Sequence, residues 1–415
     1  MKKSFICAGV LAILLSSSAM AQNTAITSQY GDGNVASTTQ AGGIFNLAMI
    51  SQVGEGNDAT VTQTGSWVNT AIVNQLGYYN MAWIDQVGGI INVADIYQEG
   101  GLNMASVYQA FGEDNRADVD QFGAWNMAAI NQLAGYDNGA DIDQDGYYNV
   151  ASIFQDGGEF NDGQIDQTGV ANEAWVAQVG GEENVASIRQ YGWENYAETE
   201  QLGGDENYAD IDQDGDYNSA AIYQEGGEFN DADIDQDGDA NSASIEQIGG
   251  EDNDAEVDQE GYLNDAYILQ LGGGDNLAGI DQVGEGHTGT ILQAGWNNQG
   301  YIAQTGLYNS ASTWQVGDYN YAMTTQSGEF NVGLVTQLGV GNYAELNQSG
   351  YDGIGVITQN GEMNSGVINQ SGALNNAFMY QNGWYNTGTI NQAGVMNTAL
   401  MNQVGVGNTA VITQF

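Results

Sequence analysis

A glutamine recurs along this chain at every eleventh or twelfth position, from Gln29 to Gln414, and its neighbours recur with it. The phrase is clearest between Asn207 and Phe229, which holds two copies of Asn-x-Ala-x-Ile-x-Gln-x-Gly. They are Asn207, Ala209, Ile211, Gln213 and Gly215, then Asn218, Ala220, Ile222, Gln224 and Gly226. The named residues fall at every second position, the side-chain period of a strand and not of a helix. Asn, Ala, Ile and Gln therefore share one face, and Tyr208, Asp210 and Asp212 the other. The glycine stands where the chain must turn. Across the 35 copies, Asn stands six residues before the glutamine except at His287 and Gly353. Ala or Gly is always four before, and Ile, Val, Leu, Met or Thr two before. The spacings alternate 11 and 12 as far as Gln282, a 23-residue period, and are 11 throughout beyond it, a 22-residue period.

One such strand buries too little to stand alone, so its neighbours must stack on it. Two strands and two tight turns per period predict an all-β, two-sided parallel β-solenoid of about 17 coils. Coils about 4.8 Å apart give a rod on the order of 80 Å long. Each Asn then sits over an Asn and each Gln over a Gln. Their amides form hydrogen-bonded ladders, satisfying groups that are costly to bury unpaired. The two strands of a coil run in opposite directions, so small Ala faces large Ile and the core keeps a constant width. Residues 22–415 read as a single domain. The period change near Gln282 reads as one residue lost from one set of turns, and Tyr351–Gly355 as the expected local defect.

The first 21 residues stand apart. Lys2 and Lys3 precede the apolar run Phe5–Leu15, and Ala19-Met20-Ala21 closes the segment. This is the layout of a secretory signal peptide, and the run is too short to span a membrane. Cys7, the only cysteine, would leave with it, so the mature chain must hold together without disulfides. Charge narrows the partners: 53 acidic residues stand against four basic ones, two of them in the signal. Nucleic acid and anionic membrane need Lys and Arg, so neither is an expected partner, and no membrane insertion is expected.

The ends carry the functional expectation. The phrase begins at Asn23, Ala25 and Gln29, next to the expected cleavage site, and finishes at Asn408, Ala410, Ile412 and Gln414, beside Phe415. Monomeric solenoids usually cap their terminal strands. Uncapped ends template another chain, and a head-to-tail contact that does not close builds a filament. The chain reads as a self-assembling polymer subunit. The competing class is a monomeric solenoid, either a cation-dependent adhesin or an ice-binding type, but the outward residues are mixed and form no flat threonine rows.

The half-repeat Asn-x-Ala-x3-Gln-x-Gly-x-x-Asn resembles the curlin repeat of bacterial curli, and it covers residues 23–415. The resemblance implies a functional amyloid: an extracellular fibre on the bacterial cell surface, serving biofilm, adhesion and aggregation. It also implies export through a dedicated outer-membrane pore and a minor nucleator subunit as partners, and leaves open whether this chain is the major subunit or that nucleator. Three departures stand out. Asn207 and Asn230 occupy places where the family usually has Ser, the repeats are unusually many, and almost no export-directing segment follows the signal.

The outward face holds the remaining chemistry. Of the 53 acidic residues, 44 lie between Asp95 and Glu285. One outward column reads Asp120, Asp143, Asp166, Arg189, Asp212, Asp235, Asp258 and Asp281. Stacked carboxylates repel, and Arg189 should relieve this locally. Single turns supply Asp141, Asp143 and Asp145, then Asp210, Asp212 and Asp214, then Asp233, Asp235 and Asp237, each resembling the start of a calcium loop. Their twelfth positions are Ser152, Ala221 and Ser244 instead of Glu, which argues against an EF-hand. Weak, diffuse Ca²⁺ or Mg²⁺ binding stays as an expectation beside a merely solubilising surface, and no other cofactor is expected. His287 stands in an Asn slot and reads as a core substitution. Without Cys, Lys or a second His no triad or zinc site can be built in the mature chain, so no enzyme is expected.

Overall fold

Strand-forming alternation is realised at every copy of the phrase. The computed structural model describes residues 22–415, and the expected signal segment with Cys7 lies outside them. Among the described residues 35 strands follow one another without a helix. They run from β1 (Thr24–Asp32) and β2 (Val35–Ala41) to β34 (Thr398–Val406) and β35 (Thr409–Gln414). The chain divides into two compact units, Met1–Glu206 and Asn207–Phe415. Within each, the odd-numbered strands form one parallel sheet and the even-numbered strands a second, as a two-sided β-solenoid requires.

Register follows the period. In the first unit Gln29 pairs with Gln52 and Gln40 with Gln63. In the second, Gln213 pairs with Gln236, and Gln282 with Gln304, one residue closer. The shortening occurs between Leu271 and Gly273, where the pairing with Ala294 and Gly295 slips by one residue. As expected, a turn loses one residue while the sheets continue. Before that point, turns after even strands are long enough to stack on one another through single bridges, such as Glu159 with Glu182.

The core contains four kinds of row. Ala209, Ile211, Gln213 and Asn207 are all essentially buried, as are most of their counterparts away from the first and last coils. Ala faces Ile across the core: a methyl added at Gly163, which fills an Ala slot, would meet Ile153 and Val176 of the opposite sheet. The Gln row is the expected amide ladder, with Gln52 Nε2 donating to Gln75 Oε1 at 2.8 Å and Gln213 Nε2 to Gln236 Oε1 at 2.8 Å. Gln amides also donate to main-chain carbonyls, as Gln63 does to Leu47 and Asn69.

The Asn row is bonded differently from a plain amide ladder. Asn46 donates its backbone N–H to Asn23 Oδ1 at 3.1 Å and its own Nδ2 to the Ser66 carbonyl. The reason is local. Each Asn follows a turn residue in the left-handed region, so its N–H lies outside the strand-to-strand ladder, and the side chain of the preceding coil takes it. In the second unit the Nδ2 groups also reach back, as Asn230 does to Asn207 Oδ1 at 3.1 Å.

Turn geometry explains the glycine. Gly54 has φ of 127° and Gly77 120°, and a methyl on Gly54 would overlap the Gly77 carbonyl. The residue before Asn is also left-handed, whether or not it is glycine: Tyr79, Trp125 and Phe160 have φ of 56°, 64° and 56°. At Gly353, the expected defect, the strands stay in register and the backbone N–H still donates to Asn331 Oδ1 at 3.1 Å. What is lost is the side chain, which elsewhere in the row accepts through Oδ1 and donates through Nδ2, as Asn331 does to the Gly350 carbonyl at 3.2 Å.

Three Ile slots hold buried threonines, Thr199, Thr313 and Thr324, whose hydroxyls find no partner among the described residues. An unpaired buried hydroxyl costs about 1–3 kcal/mol. Thr313→Val and Thr324→Val should therefore each raise stability by about 1 kcal/mol, read as a higher denaturant midpoint with unchanged cooperativity. A fall in the midpoint would show that the hydroxyls are satisfied.

Candidate functional site: the stacking faces and acidic columns

The rows give each coil two unlike faces. Within each unit, towards higher residue numbers, a coil donates Gln Nε2 to the next Gln Oε1, as from Gln29 to Gln52 at 2.6 Å and from Gln392 to Gln414 at 2.8 Å. The bonds to Asn Oδ1 run the other way, as from the backbone of Asn408 to Asn386 Oδ1 at 3.2 Å. One face of a coil thus offers what the opposite face of another accepts. In the first coil Ala25 is exposed and Gln29 half-buried. In the last, Ala410, Ile412 and Gln414 are only partly covered.

The inner-row residues expected from the sequence occupy these rows as a set. Ala209 pairs with Ala232 and Ile211 with Ile234, while Ala220 pairs with Ala243 and Ile222 with Ile245. Asn218 Oδ1 accepts from the Asn241 backbone at 3.0 Å, and Gln224 Nε2 donates to Gln247 at 2.8 Å. Gly215 closes against the Gly238 carbonyl, whereas Gly226 sits in an open left-handed turn. His287 is fully buried and copies an asparagine. Its Nδ1 accepts from the Asn309 backbone N–H at 3.2 Å and its Nε2 lies 3.2 Å from the Val283 carbonyl. Burial holds its pKa below the usual histidine value.

Carboxylates lie in rows on the odd-numbered sheet. In the first unit Asp141 pairs with Asp118, and Asp143 with Asp120 and Asp166. Arg189 pairs with Asp166, as the column predicted, and Arg116 forms an exposed ion pair with Asp118 at 2.9 Å. In the second unit Asp210, Asp212 and Asp214 pair with Asp233, Asp235 and Asp237. Each aspartate triplet lies along one extended strand, its members two residues apart, and so spreads its oxygens along a line. Among the described residues no three acidic, His or Cys side chains are placed to hold one metal ion.

Packing in rows changes the acids. Desolvation within the rows raises the half-buried Asp95 from the usual 3.8 to about 6, and does the same to Asp141, Asp143 and Asp233 although their side chains still reach solvent; neighbouring carboxylates add to this. Asp118 and Asp120 press on Asp95; Asp118 and Asp143 on Asp141; Asp166 and Asp120 on Asp143; Asp210 and Glu256 on Asp233.

Two features lay outside the sequence expectations. Aromatic turn residues stack along the coils, with Trp125 and Tyr148 ring centres 5.9 Å apart and Tyr308 and Phe330 5.4 Å apart. Where the acidic rows end, Gly279 leaves a depression of about 610 Å³ lined by Glu256, Asp258, Asp281, Tyr301 and Tyr321. A reading of the outward positions coil by coil would have found both.

A stack of near-identical coils whose faces complement one another defines a structural repeat protein, with its specificity in rows and not in a cleft. The profile of the curlin associated repeat matches residues 22–65, 92–123, 112–138, 204–228, 227–251, 250–284 and 317–350, about half of the chain. The chain belongs to the curlin-repeat family. Among curated proteins no relative matches.

The acidic rows set a pH dependence with a definite sign. A carboxylate whose folded pKa is raised binds more protons folded than unfolded between about 3.8 and 6, so its charge opposes folding above that window. Lowering the pH from 7 to 4 should raise the denaturant midpoint, although protonation of His287 opposes this at one coil. Asp141→Asn should stabilise the chain at pH 7 and flatten the profile. A midpoint that falls steadily on acidification would mean that the rows carry no such strain.

Proposed function

We propose that the chain is the structural subunit of a curli-type extracellular amyloid fibre, assembling head to tail. The observation that carries this reading is the polarity and sameness of the rows. Because every coil presents the same Gln, Ile, Ala and Asn slots, the leading face of one copy fits the trailing face of another as it fits its own next coil. The curlin repeats support it, since the family and fold are structural and not catalytic. On this reading the chain acts outside the cell in a biofilm matrix. Its partners are further copies of itself, with a nucleator subunit and an outer-membrane export pore implied by the family. Divalent cations act only diffusely, screening the acidic rows.

Electron microscopy and fibre diffraction of the purified chain, diluted rapidly out of denaturant with and without millimolar Ca²⁺, test the proposal. Unbranched filaments with a reflection near 4.8 Å are expected, forming faster with Ca²⁺. Monomers at every concentration and ionic condition would overturn it. Gln29→Glu together with Gln40→Glu places charges in the first coil's rows and should slow elongation at least about tenfold, since an unpaired charge is costly to bury.

A further inference from the structure

We infer that the outward face of the even-numbered sheet in the second unit is a lateral interface that pairs with the same face of a second copy of this chain. The strands concerned are β24 (Thr288–Trp296), β26 (Ser310–Asp318), β28 (Val332–Val340), β30 (Ile354–Glu362), β32 (Asn376–Trp384) and β34. Between the first residue of each strand and its glycine, none carries a charge. Instead the outward positions include Trp314, Leu334, Leu338, Phe378, Leu400 and Val404, exposed by 50%, 38%, 38%, 37%, 72% and 66%. They stand on consecutive in-register rows, Leu334 over Ser312 and Leu338 over Val316. The result is an uncharged face on which large apolar side chains stand among Thr, Ser and Asn, and large exposed apolar groups gathered on one face are the kind of patch that a monomer seldom leaves uncovered.

The other sheet of the same unit is finished on its outer side. It carries the acidic rows from Asp210 to Asp281. Beyond them Asn347 donates to Asn369 and Asn369 to Asn391, both at 2.9 Å, in an outward amide ladder that water can border. Carboxylate rows and the amide ladder therefore mark the odd-numbered sheet, and uncharged, partly apolar rows mark β24 to β34 of the even-numbered one.

A second copy fits the bare face on charge, shape and area. With 53 acids against four bases, two copies repel wherever carboxylates meet, and this face lets them approach without that penalty. Lysine or arginine to hold an anionic lipid surface is absent from it. Uncharged rows repeating every ~4.8 Å pack against the same rows of a second copy across the ~10 Å spacing of packed sheets. Six strands and about seven residues along each give roughly 650 Å² per copy, on the order of 1,300 Å² per pair, within the range of a specific interface. The pairing is independent of head-to-tail growth, which uses the coil faces.

The test compares mass per unit length in electron micrographs for three chains. They are the unaltered chain, a triple variant Trp314→Asp, Leu334→Asp, Leu338→Asp, and a control with Thr325→Asp, Asn347→Asp and Asn369→Asp on the opposite sheet. Circular dichroism checks that each retains its strands. The unaltered chain and the control should form paired filaments, and the even-sheet variant single filaments with half the mass per length. If no chain polymerises, sedimentation reads the same contrast as dimer against monomer, so failure of fibre growth stays distinct from failure of pairing. Pairing that survives the even-sheet variant, or is lost equally in the control, overturns the inference. So do single filaments of the unaltered chain. Binding of the unaltered chain, but not the even-sheet variant, to phosphatidylcholine vesicles without any pairing would assign the face to lipid instead.

Discussion

Everything in this structure depends on making a buried amide affordable. Each coil places two Gln and two Asn side chains in the interior, where an unpaired amide would cost several kcal/mol. The protein solves this by repetition, since the partner of each amide is the same amide one coil away, 2.6–3.0 Å distant in the Gln rows. That solution fixes much else. The sheets must be parallel and in register, and a proline would break the ladder within a strand. Where the period does change, the adjustment is a one-residue bulge between Leu271 and Gly273, at the end of a strand, and the Gln row passes on unaltered.

Much of the fold was legible because its period is exact and its inner residues are few. Alternation gave the strands, the recurrence of Gln gave the stacking, and opposed chain directions gave the Ala-to-Ile fit that Gly163 confirms. Legibility stopped where one residue type does two jobs. Asparagine was read as a rung like glutamine, yet its oxygen serves a backbone N–H displaced by the turn. The turn itself was hidden because Tyr79, Trp125 and Phe160 adopt a conformation normally left to glycine, which no composition signal marks.

The outward faces were read only in part. The acidic column at Asp120, Asp143 and Asp166 is conspicuous as a run of one letter. Its relief by Arg189 was legible from spacing alone. How far Asp95 or Asp141 is raised was not, because that depends on desolvation and on flanking charges such as Asp118 and Arg116. The Asp-x-Asp-x-Asp phrases show the same limit from the other side. A spacing that wraps around an ion in a loop becomes a straight line in a strand. The apolar even-numbered face escaped notice because its residues differ from coil to coil, sharing a property and not an identity.

Among the described residues, 31 other than glycine hold positive φ. Each left-handed turn costs roughly 1 kcal/mol for an ordinary side chain, and a coil by itself has little with which to offset it. What holds it there is the coil beneath, through bonds such as Phe160 N–H to the Tyr136 carbonyl at 2.9 Å. Conformational strain is thus a debt that only an existing template discharges. A solitary coil is a poor nucleus, an added coil is an easy step, and the chain carries within its turns a bias towards copying order already present over starting it anew.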